Sequence, residues 1–130
     1  MTLLAALCIT VGTVTAALPA QRFTLAWQHT VEKQRWEEDY LVAGDWLFLS
    51  AARVHGSGAG MEPPPGAVYV DGVWRYRPAD PWRRAVQLAR SEFGADYELC
   101  IAADCRPLGQ WVGLPPGPTT LAPCTRPASR

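Results

Sequence analysis

Apolar and polar residues alternate from the twenty-third position onward. Phe23, Leu25, Trp27, His29 and Val31 fall on one side and Thr24, Ala26, Gln28 and Thr30 on the other, which is the period of a half-buried strand. The polar stretch Glu32, Lys33, Gln34 and Arg35 reads as a turn. Trp36, Glu38, Tyr40 and Val42 then share one side of a second strand, so the two form a hairpin. Ala43, Gly44 and Asp45 make the next turn, into a long strand over residues 46–54 whose first half is apolar on both faces. That is the pattern of a central strand covered on two sides. Residues 55–66 follow, glycine-rich and then proline-rich, the longest irregular segment in the body of the domain.

Asp71-Gly72 between two short apolar runs is the strongest hairpin signal, since both central positions of a type I′ turn need positive φ. Asp80-Pro81 suits the start of a helix, yet Val86, Leu88 and Arg90 alternate with Gln87 and Ala89, and strand is the preferred reading there. Residues 97–101 and 105–111 give a further hairpin, and Pro115-Pro116-Gly117-Pro118 ends regular structure before a short last strand over 119–122. Twelve prolines, eleven glycines and six tryptophans favour short strands and tight turns over helices. The fold class expected is all-β, an antiparallel β-sandwich or small barrel built from consecutive hairpins. Residues 23–124 form the single β domain, and 125–130 a disordered tail.

Residues 1–22 admit two readings. An apolar stretch with small residues at Ala16, Ala17 and Ala20 resembles an export signal, though no Lys or Arg precedes Arg22. Alternatively the β-branched run around Ile9, Val11 and Val14, broken at Gly12, forms a strand pair. Cysteine parity favours the strand. If Cys100 and Cys105 flank a two-residue turn they occupy a directly opposed pair suited to a disulfide, which leaves Cys8 and Cys124 to join the two ends. Loss of Cys8 with a cleaved leader would strand Cys124.

Charge narrows the partners. Basic and acidic residues balance at twelve each, without a basic block, so no nucleic acid is expected. Only residues 1–20 are long and apolar enough to involve a membrane. The glycine-rich segment lacks the residues of a phosphate loop or a dinucleotide fingerprint. His29, His55 and Glu62 lack a ligand spacing, so neither metal nor cofactor is expected.

Several blocks in order carry a family resemblance: residues 23–33, Trp36-Glu37-Glu38-Asp39, the segment from Gly56 to Pro64, Trp74-Arg75-Tyr76, Leu99-Cys100 and Cys105-Arg106-Pro107-Leu108. Together they resemble a family of small bacterial proteins known only as domain of unknown function 1850. Thr30 stands where serine is usual and Gln28 where threonine is common. The resemblance implies a periplasmic protein associated with tripartite (TRAP) solute uptake, of the type whose receptor is the TRAP-associated extracytoplasmic immunogenic protein. It brings no catalytic residues.

The candidate site gathers His29, Glu32 and Lys33 at a strand end with Glu37 on the partner strand, Arg53 on the next, and Gly58, Gly60 and Glu62 from the glycine-rich segment. Lys33 or Arg53 supplies a cation for a carboxylate, and His29 a neutral donor or acceptor. The bland alternative makes Glu37, Glu38 and Asp39 an exposed edge that discourages sheet pairing. The favoured function is an exported, non-enzymatic accessory domain that binds a small solute or a transporter receptor or permease component. Two other readings stand beside it. One is a small hydrolase with His29 as base, Glu32 or Glu37 orienting it and Ser57 or Thr30 as nucleophile; the other is a structural module without ligand.

Overall fold

The computed structural model describes residues 2–28, 34–56 and 63–128. The strands are β1 (Leu3–Val11), β2 (Val14–Leu18), β3 (Arg22–Gln28), β4 (Arg35–Ala43), β5 (Trp46–His55), β6 (Val68–Val70), β7 (Val73–Tyr76), β8 (Trp82–Arg83), β9 (Val86–Ala89), β10 (Glu98–Ile101), β11 (Asp104–Pro107) and β12 (Pro118–Pro127), with one short helix, α1 (Leu108–Val112). They build a four-stranded antiparallel sheet in the order β2-β1-β12-β9 and an eight-stranded one in the order β11-β10-β3-β4-β5-β7-β6, with β8 also paired to β5. The all-β sandwich is therefore the fold. Hairpins account for only part of it, because β3 pairs with β10, and β12 with both β1 and β9, across long stretches of chain.

The two inner faces meet in one core. Leu7 and Ile9 from β1, Leu25 from β3, Leu47 from β5, Leu99 from β10, Leu108 from α1 and Leu121 from β12 are all essentially inaccessible. Burying each of these side chains contributes about 2 kcal/mol before entropy is counted. Phe23 stacks on Tyr40 at 5.2 Å and Trp27 on Trp36 at 6.2 Å, in directly opposed positions of β3 and β4. The alternation of β3 and β4 thus sends Phe23, Leu25, Trp27, Trp36, Glu38 and Tyr40 inward and leaves Thr24, Glu37 and Asp39 on the outer face.

Turn chemistry explains most of the connections. Asp71 and Gly72 adopt φ of 52° and 78°, as a type I′ turn demands. The β10–β11 turn reaches the same region with Ala102 and Ala103, at φ of 52° and 68°. Alanine is disfavoured there by about 1 kcal/mol or more per residue. The adjoining disulfide between the opposed residues Cys100 and Cys105 closes this hairpin. Cys8 and Cys124 are bonded too, joining β1 to β12 over a sequence separation of 116. Residues 3–18 form the strand pair, with Gly12 in the turn at φ 60°.

Three local expectations change. Gln34 is buried and Arg35, expected in the turn over 32–35, already belongs to β4. After β11 the chain forms α1 instead of extending the strand to Trp111, since Pro107 ends the ladder and the Asp96 carboxylate accepts the Gly109 N–H at 2.9 Å. The last strand runs ten residues and takes in positions assigned to the tail, because it pairs with β1 from Thr119 through Pro127. Pro123 and Pro127 fall where β1 is its only neighbour, the edge position that tolerates a missing N–H. On α1, Trp111 packs against the core with its indole N–H donated to the Leu99 carbonyl at 2.7 Å.

Loop closure ranks the two disulfides. Replacing Cys8 and Cys124 by serine should lower the unfolding free energy by about 4 to 5 kcal/mol, and the same change at Cys100 and Cys105 by about 2 kcal/mol. Urea unfolding of the two double variants checks the order; an equal loss or the reverse order contradicts it. Substituting Ala102 by Asn together with Ala103 by Gly should stabilise the fold by about 1 kcal/mol for each position, by relieving the left-handed alanines, and a raised melting temperature reads this out; an unchanged or lowered one contradicts it.

Candidate functional site

The outer face of the larger sheet carries a row of charge across its middle. Register sets Glu98, Ala26, Glu37, Arg53 and Arg75 opposite one another on β10, β3, β4, β5 and β7. Directly opposed residues share a face about 5 Å apart, so these side chains meet. Arg53 donates from Nε to Glu37 Oε1 at 2.9 Å, and from its two terminal nitrogens to Asp39 Oδ2 at 2.6 Å and Oδ1 at 2.7 Å. Thr24 donates its hydroxyl to the same Asp39 Oδ1 at 2.7 Å. His55 Nε2 donates to Glu37 Oε1 at 2.7 Å, and Arg35 reaches Glu37 Oε2 at 3.0 Å and Glu98 Oε1 at 2.7 Å.

The network sets the protonation of its members. Burial works against a charge on Glu37, but the hydrogen bonds from His55, Arg53 and Arg35 outweigh it and lower its carboxyl from 4.5 to about 2. Asp39 is likewise lowered, chiefly by the Arg53 guanidinium, and Arg53 is raised, chiefly by Asp39. Glu38 lies on the opposite, inner face. Its burial raises its pKa against the effect of the Tyr40 hydroxyl, which donates to it at 2.8 Å.

A groove of about 460 Å³ opens beside this network. Thr24, Asp39, Leu41, Ser50 and Arg53 line its floor and the disulfide hairpin, with Ala102 and Ala103 at its turn, lines one wall. The hollow follows from the strand geometry: pairing shifts between Asp39 and Tyr40, so Ser50 is an extra residue on β5. A bulge of this kind bends its strand, and the Ser50 hydroxyl donates to the Asp39 carbonyl at 3.2 Å. Arg22, at the start of β3, lines the same groove, and no described carboxylate lies within ion-pair distance of it.

Of the expected site residues, Glu37 and Arg53 lie together, but Arg53 donates to Glu37 and Asp39 instead of being left for a ligand carboxylate. His29, Glu32, Lys33, Gly58, Gly60 and Glu62 lie outside the described residues, as do Thr30 and Ser57. The reading of Glu37, Glu38 and Asp39 as an exposed edge is corrected, because β4 is an interior strand between β3 and β5 and the three residues divide between its faces. Arg22, Thr24, Arg35, Asp39, His55 and Glu98 complete the surface. Asp39 and Arg53 were legible from alternation; Glu98 and Arg22 were not, since the first depends on the nonlocal pairing of β3 with β10. Next to the 29–33 segment, Gln34 Oε1 and Trp36 Nε1 are buried without a hydrogen-bond partner among the described residues.

Glu98, Cys100 and Cys105 bring three atoms of ligand type within 4.8 Å, but the two sulfurs are bonded to each other and offer no thiolate. The model of the family described as Domain of unknown function (DUF1850) matches residues 23–108. No curated protein and no solved structure matches the chain.

Because the Glu37 carboxyl titrates lower in the folded chain than in the unfolded one, its contribution is complete above about 4.5 and is lost as pH falls from there toward about 2. Glu37→Gln should flatten that acid limb and cost about 2 kcal/mol near neutral pH, by leaving Arg53 and Arg35 short of an acceptor. Denaturant unfolding across the acid range measures both effects; an unchanged acid limb in the variant contradicts the assignment.

Proposed function

The chain belongs to the DUF1850 family, and we propose that it is a non-enzymatic binding module that receives a small anionic solute in the groove between the disulfide hairpin and the outer face of β3, β4 and β5. One observation carries this reading. The other charges of the groove, on Glu37, Asp39 and Arg53, pair with one another, while Arg22 stands over the same hollow with no acidic partner among the described residues. A guanidinium in that situation is matched by a carboxylate, which it holds through two parallel hydrogen bonds. The groove volume falls in the range of small-molecule sites, about 300 to 1,000 Å³.

The two disulfides are consistent with an extracytoplasmic compartment. Placement in the periplasm, beside the receptor or permease of a TRAP-type uptake system, is the setting in which an exported solute-binding accessory domain has a use. The hydrolase alternative draws less from the described residues. Glu37 at about 2 is a stable anion and a weak base at neutral pH, and the Thr24 and Ser50 hydroxyls already donate to Asp39.

Thermal-shift titration with small mono- and dicarboxylates tests the proposal. The wild type should be stabilised by about 2.7 kcal/mol at a hundredfold excess over Kd, and Arg22→Ala should lose the response without losing its fold. No shift with any carboxylate, or an equal shift in the variant, contradicts the proposal; loss on His29→Ala with Arg22→Ala unaffected moves the site to the other strand end.

A further inference from the structure

The groove does not end at Arg22. Register places Arg22 of β3, Leu41 of β4, Phe48 of β5 and Trp82 of β8 directly opposite one another in a single row on the outer face. The row crosses three interstrand spacings, about 14 Å in all. It begins with a cation and continues as aliphatic and then aromatic surface. Trp82 is 47% exposed, and its ring lies 4.7 Å from Phe48 and 6.1 Å from Trp46. The Arg84 guanidinium lies over the Trp46 ring, 4.0 Å from its centroid.

Core packing does not account for these side chains. Leu47 and Leu49, their neighbours on β5, turn inward to the core, whereas Phe48 and Trp46 turn away from it by alternation. A second hollow of about 370 Å³, lined by Phe48, Pro78, Pro81 and Arg77, lies on the other side of Ser50, which lines both. The bulge residue therefore borders both hollows. A polar head seated at Arg22 has a continuous apolar shelf in front of it and a charge-paired floor at Arg53 and Asp39 behind it.

We infer that the solute taken by this groove is an amphiphilic carboxylate, a medium-chain or aryl-substituted acid whose carboxylate sits on Arg22 and whose hydrocarbon body lies along Leu41, Phe48 and Trp82. The inference rests on the anion-binding reading of the groove and names its ligand class. Each methylene brought fully out of water contributes about 0.8 kcal/mol, and an open shelf realises part of that. Octanoate should accordingly bind on the order of tenfold more tightly than propionate, or better.

Calorimetric titration of the oxidised full chain with octanoate, 3-phenylpropionate, propionate and octanol separates the parts. Octanoate and phenylpropionate should bind best, propionate weakly, and octanol more weakly than octanoate. Trp82→Ala, an exposed position whose loss leaves the core intact, should bring octanoate down to the level of propionate, while Arg22→Ala removes binding of all three acids and Arg22→Lys restores part of it. Equal, Arg22-dependent binding of propionate and octanoate overturns the amphiphile and leaves the anion groove standing. Absence of binding by every acid overturns both. Octanol binding as tightly as octanoate, an unchanged Trp82→Ala variant, or response only to phosphatidylglycerol vesicles with none to the free acids each overturns the ligand class.

Discussion

Arg53 closes on Asp39 through both terminal nitrogens and on Glu37 through Nε, and the outer face of this protein is organised around that one guanidinium. Two carboxylates two residues apart on an interior strand repel each other and are partly desolvated, which is costly without a paired cation. The pairing works because β5 presents Arg53 opposite Glu37 and the bulge at Ser50 sets Asp39 within reach of the same side chain. It also has a consequence for binding. With Arg53 committed to its own carboxylates, Arg22 is the groove cation without an ion-pair partner among the described residues, and the proposed binding mode accordingly lies toward the end of the sheet where the outer face becomes apolar.

The sandwich supports that arrangement from behind. Strand β4 faces both ways, with Trp36, Glu38 and Tyr40 toward the core and Arg35, Glu37 and Asp39 toward solvent, so packing of the inner residues fixes the position of the outer ones. A slip of one residue would exchange the two sets, and the cost of burying Arg35 and Glu37 while exposing Tyr40 holds the register. The disulfides act at the margins. Cys8 and Cys124 join the first and last strands, and Cys100 and Cys105 hold the hairpin that walls the groove, where a turn made of two alanines gives little help of its own.

How much of this was legible in the sequence varies with the range of the interaction. Alternation located β3, β4 and β5 and put Trp36, Glu38 and Tyr40 on one side, and Asp71-Gly72 announced its hairpin through a local requirement for positive φ. Cysteine parity gave both bonds. What alternation did not carry was the neighbour relation between distant strands. Glu98 meets Arg35 across 63 residues, and the row from Arg22 to Trp82 needs β8 beside β5, a contact with no local signature. The helix at Leu108–Val112 was hidden for a similar reason, since the carboxylate that receives its Gly109 N–H comes from Asp96, thirteen residues away.

The proposed binding mode makes Arg22 the anion-binding cation of a groove whose other described charges are already paired. Side-chain nitrogen spectra of the arginines, followed through a titration with octanoate, address it most directly. A saturable shift of the Arg22 Nε signal, with Arg75 and Arg106 unmoved, is the result expected. An Arg22 signal that stays in place while octanoate binds, or a uniform drift of all the arginines, would contradict it.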